Sequence, residues 1–129
     1  MIFFIKLLLR YIPFFDARFL FVPINMVIAN VNTYVRNDHL DFTIPYEWQG
    51  VRHEYRPDYL VWLKHPGDGE IKVILEVKGF ETEKDRQMEA AAKRWVRAVN
   101  HHGEFGRWAF VLCREPQRLG SQLGQVFRA

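Results

Sequence analysis

Three residues of this chain could carry hydrolytic chemistry if the backbone brings them together: Asp58, Glu76 and Lys78. From Asp58 the chain runs through Tyr59 to Leu63 (YLVWL), a turn-forming stretch His65 to Gly69 (HPGDG), and Ile71 to Lys78 (IKVILEVK), which carries Glu76. Two β-branched, apolar runs around such a turn predict an antiparallel hairpin. With the turn centred on Gly67, residues equally distant from it face each other, so Leu63 opposes Ile71, Val61 opposes Val73 and Asp58 opposes Glu76. Opposed β-carbons lie roughly 4.5 to 5.5 Å apart, where two carboxylates repel and a shared divalent cation would neutralise them. Alternation along the second strand puts Glu76 and Lys78 on one face and Val73, Leu75 and Val77 on the other. Two acids that hold a cation, with an ammonium beside it, are a set suited to hydrolysing a phosphodiester: the cation polarises the phosphoryl oxygen and acidifies a water, and the ammonium orients that water or stabilises developing charge. The plain alternative is a surface hairpin with an ordinary Glu-Lys pattern, which leaves opposed like charges without an explanation.

The elements that must hold these residues can be read along the chain. Asp41 to Tyr46 and Val51 to Tyr55 are short β-like runs joined by Gln49-Gly50, and Pro45 marks the first as an edge. Thr82 with Asp85 resembles a capping box, opening a helix to about Asn100 with Met88, Ala92, Trp95 and Val99 as its core stripe. Arg107 to Arg114 predicts a buried strand, and a short helix follows from about Gln117 to Phe127, weakened by Gly120 and Gly124. From residue 41 the expected order is β, β, β, β, α, β. Arg86, Lys93 and Arg97 lie opposite the core stripe, a face that is solvated by default and otherwise meets phosphates. Arg94 sits off that face and is expected toward the active side of the sheet. Trp48, beside Gly50, is the candidate for stacking on a base, while Trp62, Trp95 and Trp108 are expected in the core. His101 and His102 suit a helix C-terminus better than a metal pair.

Pro57-Asp58 followed after a hairpin by Glu76-Val77-Lys78 resembles the PD-(D/E)xK nuclease superfamily. Longer stretches, TYVRNDHLDFTIPYEWQG (33 to 50), RPDYLVWL (56 to 63), ILEVKG (74 to 79) and RWVRAVNHHGEFGRWAF (94 to 110), resemble the C-terminal endonuclease domain of the restriction (Res) subunit of type III restriction enzymes. The resemblance implies an α/β, restriction-endonuclease-like mixed β-sheet flanked by helices. It also implies Mg²⁺ (with Mn²⁺ as a substitute) held by Asp58, Glu76 and the Val77 carbonyl, Lys78 as the catalytic cation, and DNA as substrate. Family partners would be a modification methyltransferase subunit and a separate helicase fragment. This sequence departs from the family twice. No Walker A sequence occurs, so no ATP site is expected on this chain. The helix that opens the superfamily fold often contributes an acid, yet before the matched region the only acid is Asp16. A non-catalytic DNA-binding or assembly remnant of such a subunit is the competing expectation.

Composition bounds these readings. The 129 residues are enough for one core, and 49% hydrophobic content is too high for a disordered chain. A net charge of +3 permits a polyanionic partner without requiring one. The single cysteine, Cys113, excludes an intrachain disulfide and fits a cytoplasmic setting. Residues 1–32 form an apolar segment, divergent or derived from truncation, with six of the eleven Phe in its first 21 residues; residues 33–129 make the nuclease-like domain. Lys6, Arg10, Asp16 and Arg18 interrupt the segment, and Pro23 and three Asn fall in its longest uncharged run, so neither a membrane span nor a signal peptide is expected.

Overall fold

In a computed structural model of the chain, residues 31–38, 40–65, 67, 69–79 and 81–128 are described. Most of the apolar N-terminal segment, residues 1–30, lies outside them. Six strands and two helices follow in order: β1 (Val31–Arg36), β2 (Ile44–Trp48), β3 (Val51–Tyr55), β4 (Tyr59–His65), β5 (Gly69–Val77), α1 (Glu83–His102), β6 (Arg107–Cys113) and α2 (Leu119–Gln125), the last flanked by short 3₁₀ turns at Pro116–Arg118 and Val126–Arg128. The expected order from residue 41 is the observed one, and β1 is an addition.

Local chemistry accounts for the joints. Gln49 and Gly50 both have positive φ, 51° and 74°, the pair of values that a two-residue hairpin turn needs to match strand twist. β2 and β3 form a two-stranded ribbon of their own with Ile44 opposite Tyr55 and Trp48 opposite Val51, so Pro45 sits on a strand that has a free edge. At α1, Thr82 accepts from the Asp85 N–H and Asp85 accepts from the Thr82 N–H, the capping box read in the sequence. Gly103 ends the helix with φ 82° and donates its N–H to Val99 O.

The main sheet has the order β1-β4-β5-β6. β1, β4 and β5 are antiparallel neighbours, whereas β6 runs parallel to β5, which requires the crossover that α1 supplies. It is therefore a mixed sheet with a helix on each face. Pairing of β4 with β5 runs from His65 opposite Gly69 to Tyr59 opposite Leu75, the register centred on Gly67 that the turn implies. Along β5, Ile71, Val73 and Leu75 join Tyr34, Val61, Leu63, Val111 and Cys113 in a core closed by Leu119 and Leu123 of α2. Ile74 and Leu60 point the other way, into a core with Phe42, Ile44, Ala92, Trp95, Val99 and Trp108. There Phe42, Trp95 and Trp108 meet edge to face or stacked at 5.2 to 6.5 Å. Asn37, buried at the end of β1, donates to Phe42 O and Pro57 O, accepts the Phe42 N–H, and gives its own N–H to Asp58 O. That set of bonds fixes the bend from which Asp58 enters β4.

Candidate functional site

Asp58 and Glu76 stand one step beyond the last residue pair of β4 and β5, where the ladder would continue. Their side chains take over the backbone's partners. The Asp58 N–H donates to Glu76 Oε2 at 3.2 Å, and the Val77 N–H donates to Asp58 Oδ2 at 2.9 Å. Each carboxylate thus holds the other's strand, and the two acids are neighbours as the register requires. Tyr55, at the end of β3, reaches across from the ribbon and donates its hydroxyl to the same Glu76 Oε2 at 2.8 Å.

Glu76 is only 8% exposed, the one buried acid among the described residues. Burial pushes its carboxyl from the ordinary 4.5 up to about 7; the Tyr55 hydrogen bond pulls against that and the Asp58 charge adds to it. Burial and the adjacent Glu76 hold the Tyr55 phenol protonated, far above its usual value. Tyr55 is therefore a donor and Glu76 an acceptor in this pair.

Lys78 shares the Glu76 face, as alternation predicts, but is not directed at the acids alone. Its ammonium forms an ion pair with Asp85 Oδ1, and Asp85 Oδ2 accepts from the Thr82 N–H and hydroxyl. The ammonium holds the Asp85 carboxyl down at about 2. The capping acid of α1 is thus also the anchor of the candidate catalytic lysine. One residue past the last β5–β6 pair, Val77 with Cys113, Lys78 donates its N–H to Cys113 O and comes level with Arg114. Arg114 is held by Glu81 at 3.1 Å.

Lys78, Asp85, Glu81 and Arg114 line a small open cleft together with Tyr55, Glu76, Met88, Glu89, Phe110 and Leu112. It opens at the carboxyl ends of two parallel strands and beside a helix N-terminus, the position where open α/β sheets bind ligands. Four carboxylates against two cations make its walls acidic. Asp58 is not among the lining residues, so the cleft approaches Glu76 from the helix side and Asp58 borders it across Glu76. Among the described residues no group of three or more His, Cys, Asp or Glu is arranged to hold a metal ion.

The expected nucleic-acid contacts fare differently from the acids. Lys93 and Arg97 are exposed on α1, with Lys93 paired to Glu89 on the cleft wall at 3.1 Å. Arg94 is exposed but stands nine residues on from Asp85, about half a turn around the helix, so it faces away from the cleft and not toward the active side of the sheet. Trp48 is half-buried against the core at the end of the ribbon opposite Tyr55, four strand residues or roughly 13 Å along. Trp95 and Trp108 are buried as expected.

The parts that Tyr55, Asp85 and Arg114 play at this site escape a reading of the sequence. Asp85 carried a signal, since a capping-box acid seven residues after a lysine lies where a β-α turn can join them; Tyr55 and Arg114 depend on packing between separate elements. Among the described residues no helix is long and apolar enough to cross a membrane. Comparisons with protein-family models, with curated proteins and with solved structures return no match. The chain is an α/β domain with a mixed sheet and an acidic cleft at its strand ends.

Proposed function

We propose that this chain is a Mg²⁺-dependent DNA endonuclease domain of the PD-(D/E)xK type, a relative or fragment of a type III restriction subunit without the helicase motor. The observation that carries the reading is the pairing of Asp58 with Glu76. Two acids are kept adjacent at the end of a hairpin, one of them buried, with Lys78 on the same face. A hard divalent cation takes oxygen ligands, and this donor set fits one. Asp58, Glu76 and the Val77 carbonyl would hold it, and it would polarise a phosphoryl oxygen and make an attacking water more acidic. Lys78 and Arg114, side by side at the strand ends, supply positive charge for the phosphodiester, and Asp85 and Glu81 hold those two side chains in place until DNA arrives. Lys93, paired with Glu89, and Arg97 add positive charge along the exposed side of α1.

Recognition of a DNA sequence and ATP-driven movement would reside on partners, a methyltransferase subunit and a helicase fragment. The competing reading is a non-catalytic DNA-binding or assembly remnant, and the Lys78–Asp85 pair favours it, because an ammonium neutralised by a helix cap is also what a purely structural lysine looks like. A plasmid-nicking assay separates them. The active domain cuts slowly with Mg²⁺ or Mn²⁺ and without ATP, and Asp58→Asn, Glu76→Gln and Lys78→Ala each abolish cutting while only the first two also abolish metal-induced thermal stabilisation. Cutting in excess chelator sinks the proposal, and a chain that neither cuts nor gains stability from Mn²⁺ is the remnant.

A further inference from the structure

We propose that Tyr55 is a positioning residue that presents one chosen oxygen of Glu76 to a divalent cation, an inference that rests on the metal-dependent reading of the site. Both hydrogen bonds that Glu76 accepts from described residues land on Oε2, one from the Tyr55 hydroxyl at 2.8 Å and one from the Asp58 N–H at 3.2 Å. Asp58 is treated in the same way, with Oδ2 taken by the Val77 N–H at 2.9 Å. Among the described residues, each acid therefore commits one oxygen to the fold and leaves the other without a hydrogen-bond partner.

The two donors to Glu76 lie three residues apart in the chain, on either side of the Arg56-Pro57 link. The N–H belongs to the bend into β4, and the phenol belongs to the separate β2–β3 ribbon. Together they fix both the plane of the carboxylate and which of its oxygens is turned outward. A glutamate side chain has three rotatable bonds, and with one donor alone either oxygen can accept it. Tyr55 is 3% exposed, so water does not replace its hydroxyl readily. Groups that orient a metal ligand from outside the coordination shell typically change metal affinity about 10- to 100-fold when removed.

The test is Tyr55→Phe in the full chain, measured by Mn²⁺ titration calorimetry and by the Mn²⁺ concentration that half-saturates DNA nicking. The expected result is a Kd and a half-saturation point both raised about 10- to 100-fold, with the nicking rate at saturating Mn²⁺ within a few-fold of wild type. Tyr46→Phe is the control, since Tyr46 is buried in the same ribbon but stacks on His53 at 5.4 Å. It should leave the Mn²⁺ affinity unchanged, and equal weakening by both variants overturns the proposal as mere loosening of the ribbon. Should Tyr55→Phe fail to fold, the wild-type chain with labelled tyrosine rings gives the same answer through Mg²⁺ titration by NMR: the Tyr55 Cζ resonance must move with metal saturation, and an unmoved resonance overturns the role. Wild type that binds Mn²⁺ as tightly as Tyr55→Phe does removes this inference and leaves the metal site standing. A wild type that binds no Mn²⁺ removes the metal reading itself, and Tyr55 with it.

Discussion

The same two strands present very different surfaces to the two helices. Toward α2, β4 and β5 show Val61, Leu63, Ile71, Val73 and Leu75, all fully buried and all apolar. Toward α1 they show Leu60 and Ile74 in the middle, then Asp58, Glu76 and Lys78 at the end, with Lys72 reaching from the other end over Trp62 and Trp108 to donate to Phe105 O. Because side chains alternate with a period of two, one strand can hold the domain together with its odd residues and carry chemistry on its even ones. The cost of placing charge in the sheet is borne by one face only. Stability and activity should then respond to different substitutions only one residue apart.

The largest effect is expected on the α2 side. Ile71→Ala removes a fully buried side chain and should cost about 2 to 5 kcal/mol in urea unfolding, against a change several times smaller for Asp58→Asn. If the two substitutions proved equally destabilising, the faces would not divide the work as described.

Next in size is Glu76→Gln, read without metal as a function of pH. Between about pH 4.5 and 7 the folded chain keeps a proton on Glu76 that the unfolded chain has released, so stability falls as the pH rises through that window and levels off above it. The amide has no proton to lose. In EDTA at pH 8 the variant should be more stable than wild type by about 1 to 3 kcal/mol, an advantage that disappears near pH 4.5. Parallel stability curves for the two proteins across that range would mean that the burial of Glu76 is not felt as a charge.

Asp85→Ala should have the smallest effect on stability, about 0.5 to 2 kcal/mol at neutral pH, from the lost helix cap. The sign is opposite to that of Glu76. With the folded carboxyl near 2 and its ordinary value at 3.8, the contribution is present above about pH 3.8 and is lost as the pH falls toward 2. Melting curves at pH 7 and pH 2.5 distinguish the cases: the gap between wild type and variant should narrow at the lower pH, and a constant gap would show that Lys78 adds nothing to the cap.

Local rules made much of this architecture legible. The HPGDG turn set the β4–β5 register, and with it the pairing of Asp58 and Glu76, because a hairpin relates residues by simple reflection. Thr82 and Asp85 announced the start of α1 through bonds only three residues long. Other features needed contacts that no local pattern records. β1 was hidden in VNTYVR, where Asn32 and Thr33 blur alternation and the partner strand lies beyond the whole β2–β3 ribbon. Arg114 comes level with Lys78 only once a parallel pair has closed around α1, and Tyr55 meets Glu76 only when the ribbon docks on the sheet. Arg94 was misplaced for a simpler reason, since its position relative to Asp85 is a matter of helical phase. Trp48 was assigned by its loop neighbours, while its burial is decided by the core beneath it.

Thr82, Asp85 and Lys78 form one chain of hydrogen bonds, and that has a consequence for motion. Helix ends open and close far more often than helix middles, so the first turn of α1 is a natural site of local unfolding. When that turn frays, Asp85 loses its place and Lys78 is released with it. The amides of the first helical turn and the lysine's ammonium should therefore report a single opening event in hydrogen exchange, and a ligand that draws Lys78 toward the acids would leave its imprint as faster exchange at the start of α1, the helix that walls the cleft.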